Sequence, residues 1–386
     1  MQTKFAALIA DLNTQLLERN TAVEAAMLAL LTRQHLVQLG PPGVGKTMLT
    51  QQLSRRITGA RYFEKLITKF STDSEIFGPF SLKGLENDAY TRVKSGTMLE
   101  AEIVNLEEVF KGNSAILNSL LMAMNEREYQ ESGQVLKLPL LTLFGSSNEL
   151  AEDSTLNAFY DRFMFRIVVG QLQDDENRCK LLRMRRNKTA EQTPQATISM
   201  NELRLAQSQV DRVTLPNNAE DALNTVYHAL ADEGIVISDR RFGDLGTVVC
   251  AKAWLEGETE VNTDHFEALV NCLWAEPKDI RVVERVVSKI ANPLNLEAVE
   301  LEDAAKDLYD ARPTVDNPQL TQALEPLLRQ LADIHTRLET RIGAAPEKKT
   351  VRAKAALQKV QTWHRALSQL ALQSLSRLHM APGAGA

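Results

Sequence analysis

Cysteine is scarce in this chain of 386 residues: Cys179, Cys250 and Cys272 are the only three, odd in number and far apart. No CxxC pair and no cysteine–histidine cluster occurs among them, which excludes a disulfide framework or a zinc module as the organising principle. A reduced, cytoplasmic protein with buried thiols is the expectation. Long apolar runs are missing as well. None approaches the roughly 20 residues needed to cross a bilayer. The longest candidate, 21–31, contains Glu24, stops at Arg33 and reads as a helix covering a core. Residues 1–20 lack the charged-then-apolar profile of a secretory signal. Strong charge of one sign is absent too, since a net charge of -6 gives no global pull toward nucleic acid or anionic membrane. What is present is ordinary globular material, 44% hydrophobic and 24% charged, and long enough for two or three domains.

Apolar residues at helical spacing predict helices over 4–17 and 21–33. The run His35-Leu-Val-Gln-Leu39 predicts a buried strand. Further strands are expected over 63–70, 101–106, 138–145 and 163–169, with helices over 48–57 and 114–127 and a loop-like stretch over 76–85. Alternating strands and helices argue for an α/β fold with a mostly parallel sheet of five strands, covered on both faces. The polar segment 187–197 reads as a linker. Residues 203–279 read as all-helical, with a helix start at Ser238-Asp239, and Asn292-Pro293 marks another boundary.

The tail carries two apolar seams. Leu320, Leu324, Leu327, Leu331, Ile334, Leu338 and Ile342 form the first; Leu357, Val360, His364, Leu367, Ala371 and Leu375 form the second. Around a break at 343–346 they describe an antiparallel helical hairpin. Its first arm, 317–342, would be roughly 40 Å long at 1.5 Å per residue, either projecting or folded back on the preceding domain. Residues 381–386 are expected to fray.

The strongest chemical signal is Gly40-Pro41-Pro42-Gly43-Val44-Gly45-Lys46-Thr47, with Met48 opening the next helix. It has the G-x-x-x-x-G-K-[ST] spacing between a predicted strand and a predicted helix. The glycines let backbone N–H groups converge on phosphate oxygens, and the helix N-terminus adds a favourable dipole. Lys46 is expected to reach the β- and γ-phosphates and the Thr47 hydroxyl to ligate magnesium, so the chain is read as binding ATP with Mg2+. Further on, the strand 101–106 ends in Glu107-Glu108, where nucleotide hydrolases place a magnesium-side carboxylate and a base that polarises the attacking water. Glu107 takes the first role and Glu108 the second, against the plainer reading of a charged helix start. Asn148, at the end of the fourth strand, is placed to orient water or sense the γ-phosphate, or is a turn residue. Arg162 in Asp161-Arg162-Phe163 is by itself a candidate for a surface salt bridge.

The order of these blocks resembles AAA+ ATPases of the MoxR group, and within it the RavA branch. The resemblance is carried by 40–47, Phe70-Ser-Thr72, Phe77-Gly-Pro79, 101–108, Lys111, Ala115-Ile-Leu-Asn118, Asn125-Glu-Arg127, Ser147-Asn-Glu-Leu150 and Tyr160-Asp-Arg162. Ser238-Asp-Arg-Arg241 and Cys272-Leu-Trp274 extend it. It implies an αβα nucleotide-binding subdomain over 1–190, a helical lid over 200–290 and a helical C-terminal region over 295–380. It also implies a ring, typically a homo-hexamer, that remodels or activates a partner protein, commonly one with a von Willebrand factor A domain. By matching position Lys46 and Thr47 are Walker A residues, Glu107 and Glu108 Walker B, and Asn148 sensor 1. Arg162 matches the arginine finger that enters the neighbouring subunit's site. Arg240 matches sensor 2, with Arg241 beside it as the alternative, and 75–86 matches the insert that faces the pore.

One departure stands out. The resemblance calls for Asp then Glu at the end of the third strand, where this chain has Glu107-Glu108. An extra methylene at a magnesium site suggests slow hydrolysis, hence a second reading as an ATP-gated ring scaffold that recruits a partner through its hairpin. A DNA-acting motor is disfavoured by charge. The basic cluster Arg178, Lys180, Arg183, Arg185, Arg186 and Lys188 lacks interleaved aromatics and reads as a solvated helix face. The six histidines show no ligand spacing, and Trp254 and Trp274 read as lid core.

Overall fold

In this computed structural model the chain is described over residues 1–87, 91–131, 134–149, 156–187, 194–314, 320–345 and 350–380. Leu150, Lys188, most of the linker 187–197, the start of the expected first tail arm, residue 346 of the break and 381–386 lie outside the described residues. The chain divides into two compact units, Met1–Ile280 and Arg281–Ala386.

The first unit opens with α1 (Gln2–Gln15) and α2 (Asn20–Thr32) and enters β1 (Leu36–Leu39). There follow α3 (Lys46–Ser54), β2 (Ile57–Thr58), β3 (Tyr62–Leu66), α4 (Asp73–Phe77), α5 (Leu82–Leu85) and β4 (Ile103–Glu107). Then come α6 (Ser114–Glu126), β5 (Glu128–Glu131), β6 (Gln134–Lys137), β7 (Thr142–Ser147), α7 (Asn157–Asp161), β8 (Phe165–Val168) and α8 (Asp175–Arg186). The expected sheet is present: five parallel strands in the order β3-β4-β7-β1-β8. Its central strands are largely apolar and almost entirely buried, as parallel strands under helices must be, with Gln38 and Asn105 the polar residues inside β1 and β4.

Three segments depart from the expected elements. The stretch 76–85 is not a plain loop, because it holds α4 and α5, helices too short for a 3.6-residue period to register. The strand expected at 138–145 is displaced toward β7, and a β5–β6 antiparallel hairpin precedes it. Ile57, read as the end of a helix, instead forms the short strand β2 with Thr58 and pairs in parallel with β9 (Ile198–Ser199).

Beyond β9 the unit is helical: α9 (Met200–Val210), α10 (Asn217–Asp232), α11 (Asp239–Leu255) and α12 (Val270–Leu273). The start expected at Ser238-Asp239 is a capped one, with Ser238 Oγ accepting from the Arg241 N–H at 3.2 Å. Trp254 and Trp274 are buried, as read. Of the thiols, Cys250 and Cys272 are buried but Cys179 is exposed on α8. No helix among the described residues is long and apolar enough to cross a membrane.

The second unit contains α13 from Arg281 onward (Ile280–Ala291 as a whole), α14 (Pro293–Asp310), α15 (Leu320–Ala344) and α16 (Val351–Met380). The two long helices pack on each other as the seams predict, and both also pack on α14, within this unit. Leu320, Leu324, Leu331 and Leu338 face Ala353, Ala356, Val360 and Leu367 in one apolar cluster. At its edge Glu302, fully buried, accepts from Arg281 at 2.6 Å, Arg352 at 2.7 Å and Lys359 at 2.8 Å. Burial alone would raise its pKa; these cations overcome that and hold it down at about 2.

Candidate functional site

Strand register assembles the site. Leu39 lies beside Ser147, and Ser146 beside Glu107. Gly40 after β1, Glu107 and Glu108 at the end of β4 and Asn148 after β7 therefore leave the sheet side by side at its carboxyl edge, where open α/β sheets bind ligands. A Cβ on Gly40 would stand 2.1 Å from the Val169 carbonyl oxygen, so the loop passes β8 at a distance only glycine permits. Gly45, at φ +88, turns the chain into α3.

Around this turn is a cavity of about 520 Å³, lined by 42–48, Glu107, Glu108, Ser146 and Asn148, with Arg55 and Arg185 at its rim. Lys46 is its hub. Its Nζ donates to Asn148 Oδ1 at 2.8 Å, to the Pro41 carbonyl at 3.0 Å and to the Gly40 carbonyl. Burial lowers the Lys46 pKa, while Glu108 and Glu107 oppose that shift. Thr47 Oγ1 donates to Glu107 Oε1 at 2.7 Å. A hydroxyl and a carboxylate in contact at the start of a phosphate-loop helix are a hard-oxygen donor set, the kind magnesium takes, so these residues fit the ion. Glu108 sits at φ 52, a left-handed conformation uncommon outside glycine. Its Oε2 is buried without a hydrogen bond, and the Lys111 ammonium lies 3.1 Å away outside hydrogen-bond geometry.

Next to this cavity is an apolar pocket of about 390 Å³, walled by Leu16, Leu17, Val44, Met48, Leu181 and Met184. It shares 43–45, Met48 and Arg185 with the phosphate cavity, giving one continuous groove, half apolar and half polar. That matches a planar base carrying a polyphosphate. Its apolar walls were not singled out by sequence reasoning, and the basic cluster on α8 is more than a solvated face, because Arg178 and Arg185 line the groove. Arg19 was missed too. It donates to the Val44 carbonyl at 3.1 Å and the Gly170 carbonyl at 2.6 Å, tying the phosphate loop to the β8–α8 connection. Glu18 beside it accepts from the Gln173 and Asp174 N–H groups at 2.7 and 3.0 Å. The polar pair Glu18-Arg19 between two helices was the available signal.

Arg162 and Arg240 are elsewhere. Arg162 precedes the amino end of β8, at the opposite edge of the sheet from the phosphate loop, and neither arginine lines the cavity of its own chain. Burial, and after it the Arg240 charge, lowers the Arg162 pKa. Arg162 Nε has no hydrogen-bond partner and Arg240 is exposed. Their position is set by the residues beside them. Arg241, buried, donates to Asp161 Oδ1 at 3.3 Å and to the carbonyls of Asp161, Phe163, Met164 and Cys272 at 2.7–2.9 Å. Arg166 donates to the Trp274 carbonyl, Tyr160 Oη to the Ala275 carbonyl at 2.9 Å, and Ser238 Oγ to Asp161 Oδ2 at 3.1 Å. Three blocks far apart in sequence, 160–162, 238–241 and 272–274, are thus one polar lock. Arg241 belongs to the lock, which leaves Arg240 as the freer of the pair.

Among the described residues the histidines supply no second centre. Glu256, Glu258 and His265 come together, but His265 Nδ1 accepts the Asn262 N–H at 3.0 Å, so the neutral ring keeps its proton on Nε2 toward Glu258. The Lys252 ammonium already pairs with Glu256 at 3.1 Å.

Comparison with known proteins agrees with this geometry. Residues 3–208 match the family described as the MoxR domain in the MoxR-vWA-beta-propeller ternary systems, and 219–287 match an AAA lid domain. An uncharacterised protein of Methanocaldococcus jannaschii is 39% identical over 307 residues, 79% of each chain. The chaperone MoxR1 of Mycobacterium tuberculosis is 25% identical over 242 residues, 60% of this chain and 58% of that one. The crystal structure of a Cytophaga hutchinsonii protein regarded as an ATPase superposes with a TM-score of 0.62 at 18% identity, over 75% of this chain and 94% of that one, a likeness of fold. A parallel sheet with a phosphate loop after a central strand, joined to a helical lid, defines an AAA+ nucleotide-binding protein. Within that class, this chain belongs to the MoxR family of AAA+ ATPases.

Proposed function

We propose that this chain is a ring-forming ATPase of the RavA-like branch, a homo-hexamer that hydrolyses magnesium-bound ATP to remodel or activate a partner carrying a von Willebrand factor A domain. One observation carries the reading. Lys46, Thr47, Glu107, Glu108 and Asn148 meet at one edge of the sheet, while Arg162 and Arg240 are held at the other. From Arg162 to the loop's neighbour Val169 the chain runs about 20 Å along a strand. A finger so placed serves a neighbouring chain rather than its own.

In this reading 43–47 and the α3 N-terminus hold the β- and γ-phosphates, with Lys46 moving from the loop carbonyls to the phosphate oxygens. Thr47 and Glu107 would hold magnesium, which would supply charge neutralisation on the phosphates. The Glu108 carboxylate accepts the proton of the attacking water, and Asn148 orients that water beside Lys46. Arg162 of the next chain, with Arg240, meets the charge that develops on the transferring phosphoryl. The family description, which couples MoxR domains to vWA and beta-propeller components, supports the partner class.

Glu108→Gln tests the assignment. The variant should bind ATP as the parent does and lose hydrolysis by about 100-fold or more; turnover at the parental rate sinks it. The contact between Thr47 and Glu107 favours a second reading, in which the longer side chain slows turnover and the ring acts as an ATP-gated scaffold that recruits a partner through the α15–α16 hairpin. A Glu107→Asp variant that hydrolyses no faster than the parent removes it.

A further inference from the structure

We infer that Arg185 on α8 binds the α- and β-phosphates of the nucleotide in its own chain, filling from the helix beside the base pocket a role that neither Arg240 nor Arg162 can reach. The inference rests on the nucleotide-site reading above and adds a residue to it.

Four observations converge on this side chain. Arg185 lines both the apolar pocket and the phosphate cavity, and so stands where the two halves of the groove join. A base seated against Leu181 and Met184 with its terminal phosphates at Lys46 must pass its ribose and first phosphates across that junction. Second, the register of α8 is fixed. Met184, the neighbouring residue, is buried at 9% exposure in the pocket wall, so rotation of the helix would expose it. Third, the amino end of α8 is tied down. Asp174 Oδ1 caps it by accepting from the Glu176 and Asn177 N–H groups at 2.6 and 3.3 Å, and Glu18 accepts from Asn177 Nδ2 at 3.0 Å. Arg19, next to Glu18, holds the phosphate loop itself, so helix and loop share one anchor. Fourth, the other arginine lining the pocket from α8 is committed: Arg178 donates to the Leu172 carbonyl at 2.6 Å and to Asp175. The Arg185 guanidinium makes no hydrogen bond or ion pair among the described residues.

The chemistry suits the place. A planar guanidinium with five donors can bridge oxygens of two successive phosphates, whereas a lysine offers a single point of charge. Such a contact closes α8 over the loop only when a di- or triphosphate is bound, so the helix senses occupancy of the groove from within one chain, while Arg162 senses it from the next.

The test is equilibrium binding of ATP and ADP with magnesium, followed by calorimetry, for the parent and for Arg185→Ala, Arg185→Lys, Arg183→Ala and Lys46→Ala. Arg183 is exposed on the same helix and lines neither pocket, so it controls for loss of one positive charge. Arg185→Ala should weaken ATP and ADP alike by roughly 10-fold or more, the range of a hydrogen bond to a charged group, with Arg185→Lys between it and the parent. Arg183→Ala should bind as the parent does. Equal losses in the two alanine variants would assign the effect to the general field and overturn the contact. A loss confined to ATP would move the guanidinium to the γ-phosphate and overturn the placement. If Lys46→Ala loses binding while Arg185→Ala binds normally, this inference fails and the nucleotide site stands; if both bind normally, the reading of the groove itself fails.

Discussion

The two edges of the sheet use charge in opposite ways. At the carboxyl edge, Glu108 Oε2 makes no hydrogen bond and faces the Lys111 ammonium, the Arg185 side chain has no partner among the described residues, and Lys46 is held by two loop carbonyls and the Asn148 amide. At the amino end of β8, Asp161, Arg166 and Arg241 are buried or half-buried and bonded to one another and to backbone carbonyls, with Arg166 Nε the one guanidinium nitrogen among them left without a hydrogen bond. The first edge keeps its polar groups available for a ligand. The second uses its own to fix two arginines whose partners lie outside the chain. A finger needs that rigidity, since a misplacement of about 1 Å costs about 100-fold in rate.

The most severe way to break this comparison is to show that Arg162 serves its own chain. Arg162→Ala should lower hydrolysis by about 10³-fold while leaving ATP binding within about threefold of the parent. Mixed in equal amounts with Lys46→Ala, itself inactive, it should regain turnover, because Lys46→Ala subunits lend their finger to intact sites next to them. Absence of any recovery in the mixture, with mixed rings verified by cross-linking, would place the finger in cis.

The second prediction strikes the lock. Arg241→Ala leaves Asp161 and four carbonyls without their buried cation, a loss of about 3–5 kcal/mol. For a unit of this size the melting temperature should fall by roughly 10 °C, and hydrolysis should fall with it as Arg162 loses its support. A melt within about 2 °C of the parent would mean the network is decoration.

Much of the carboxyl edge was legible in the sequence, and for physical reasons. A phosphate loop must spend glycines where the backbone passes Val169 or turns at positive φ, so its spacing survives as a signature. Buried parallel strands must be apolar, so β1 and β4 announce themselves and place Glu107 and Glu108 at their ends. The base pocket and Arg185 were not legible. Periodicity reports that α8 is polar on most faces and cannot report that one of them looks across a gap at the phosphate loop. The choice between Arg240 and Arg241 was equally closed, because adjacent residues on a helix differ by 100° of rotation and only the fold says which one meets Asp161. Helices α4 and α5 were lost to their Gly and Pro neighbours.

The second unit sharpens the comparison with a lock that has no chemistry beside it. The pKa of Glu302 is about 2 in the folded chain against an ordinary value near 4.5, so its ion pairs stabilise fully above the unfolded value and fade as pH falls toward 2. The effect is about 3 kcal/mol at neutral pH. Glu302→Gln should unfold at lower urea at pH 6, and the gap from the parent should shrink by pH 3. A gap that stays constant with pH would assign the loss to packing instead of charge.

The smallest effect probes whether an unpaired polar group at the chemical edge is kept at a cost. Asn105 lies fully buried in β4, two residues before Glu107, and neither its amide oxygen nor its nitrogen makes a hydrogen bond of good geometry, although the Tyr62 hydroxyl is close by. An unsatisfied buried amide costs about 1–3 kcal/mol, so Asn105→Val, which fills similar space without polar atoms, should raise stability by about 1 kcal/mol. The same variant at a purely structural position would change nothing else. Beside Glu107, a stability gain accompanied by slower hydrolysis would show that the amide tunes the magnesium-side carboxylate, and the comparison between an open edge and a locked one would extend into the core of the strand. A loss of stability on the same substitution would show that the amide is paired with Tyr62 in solution, and β4 would then join the locked side.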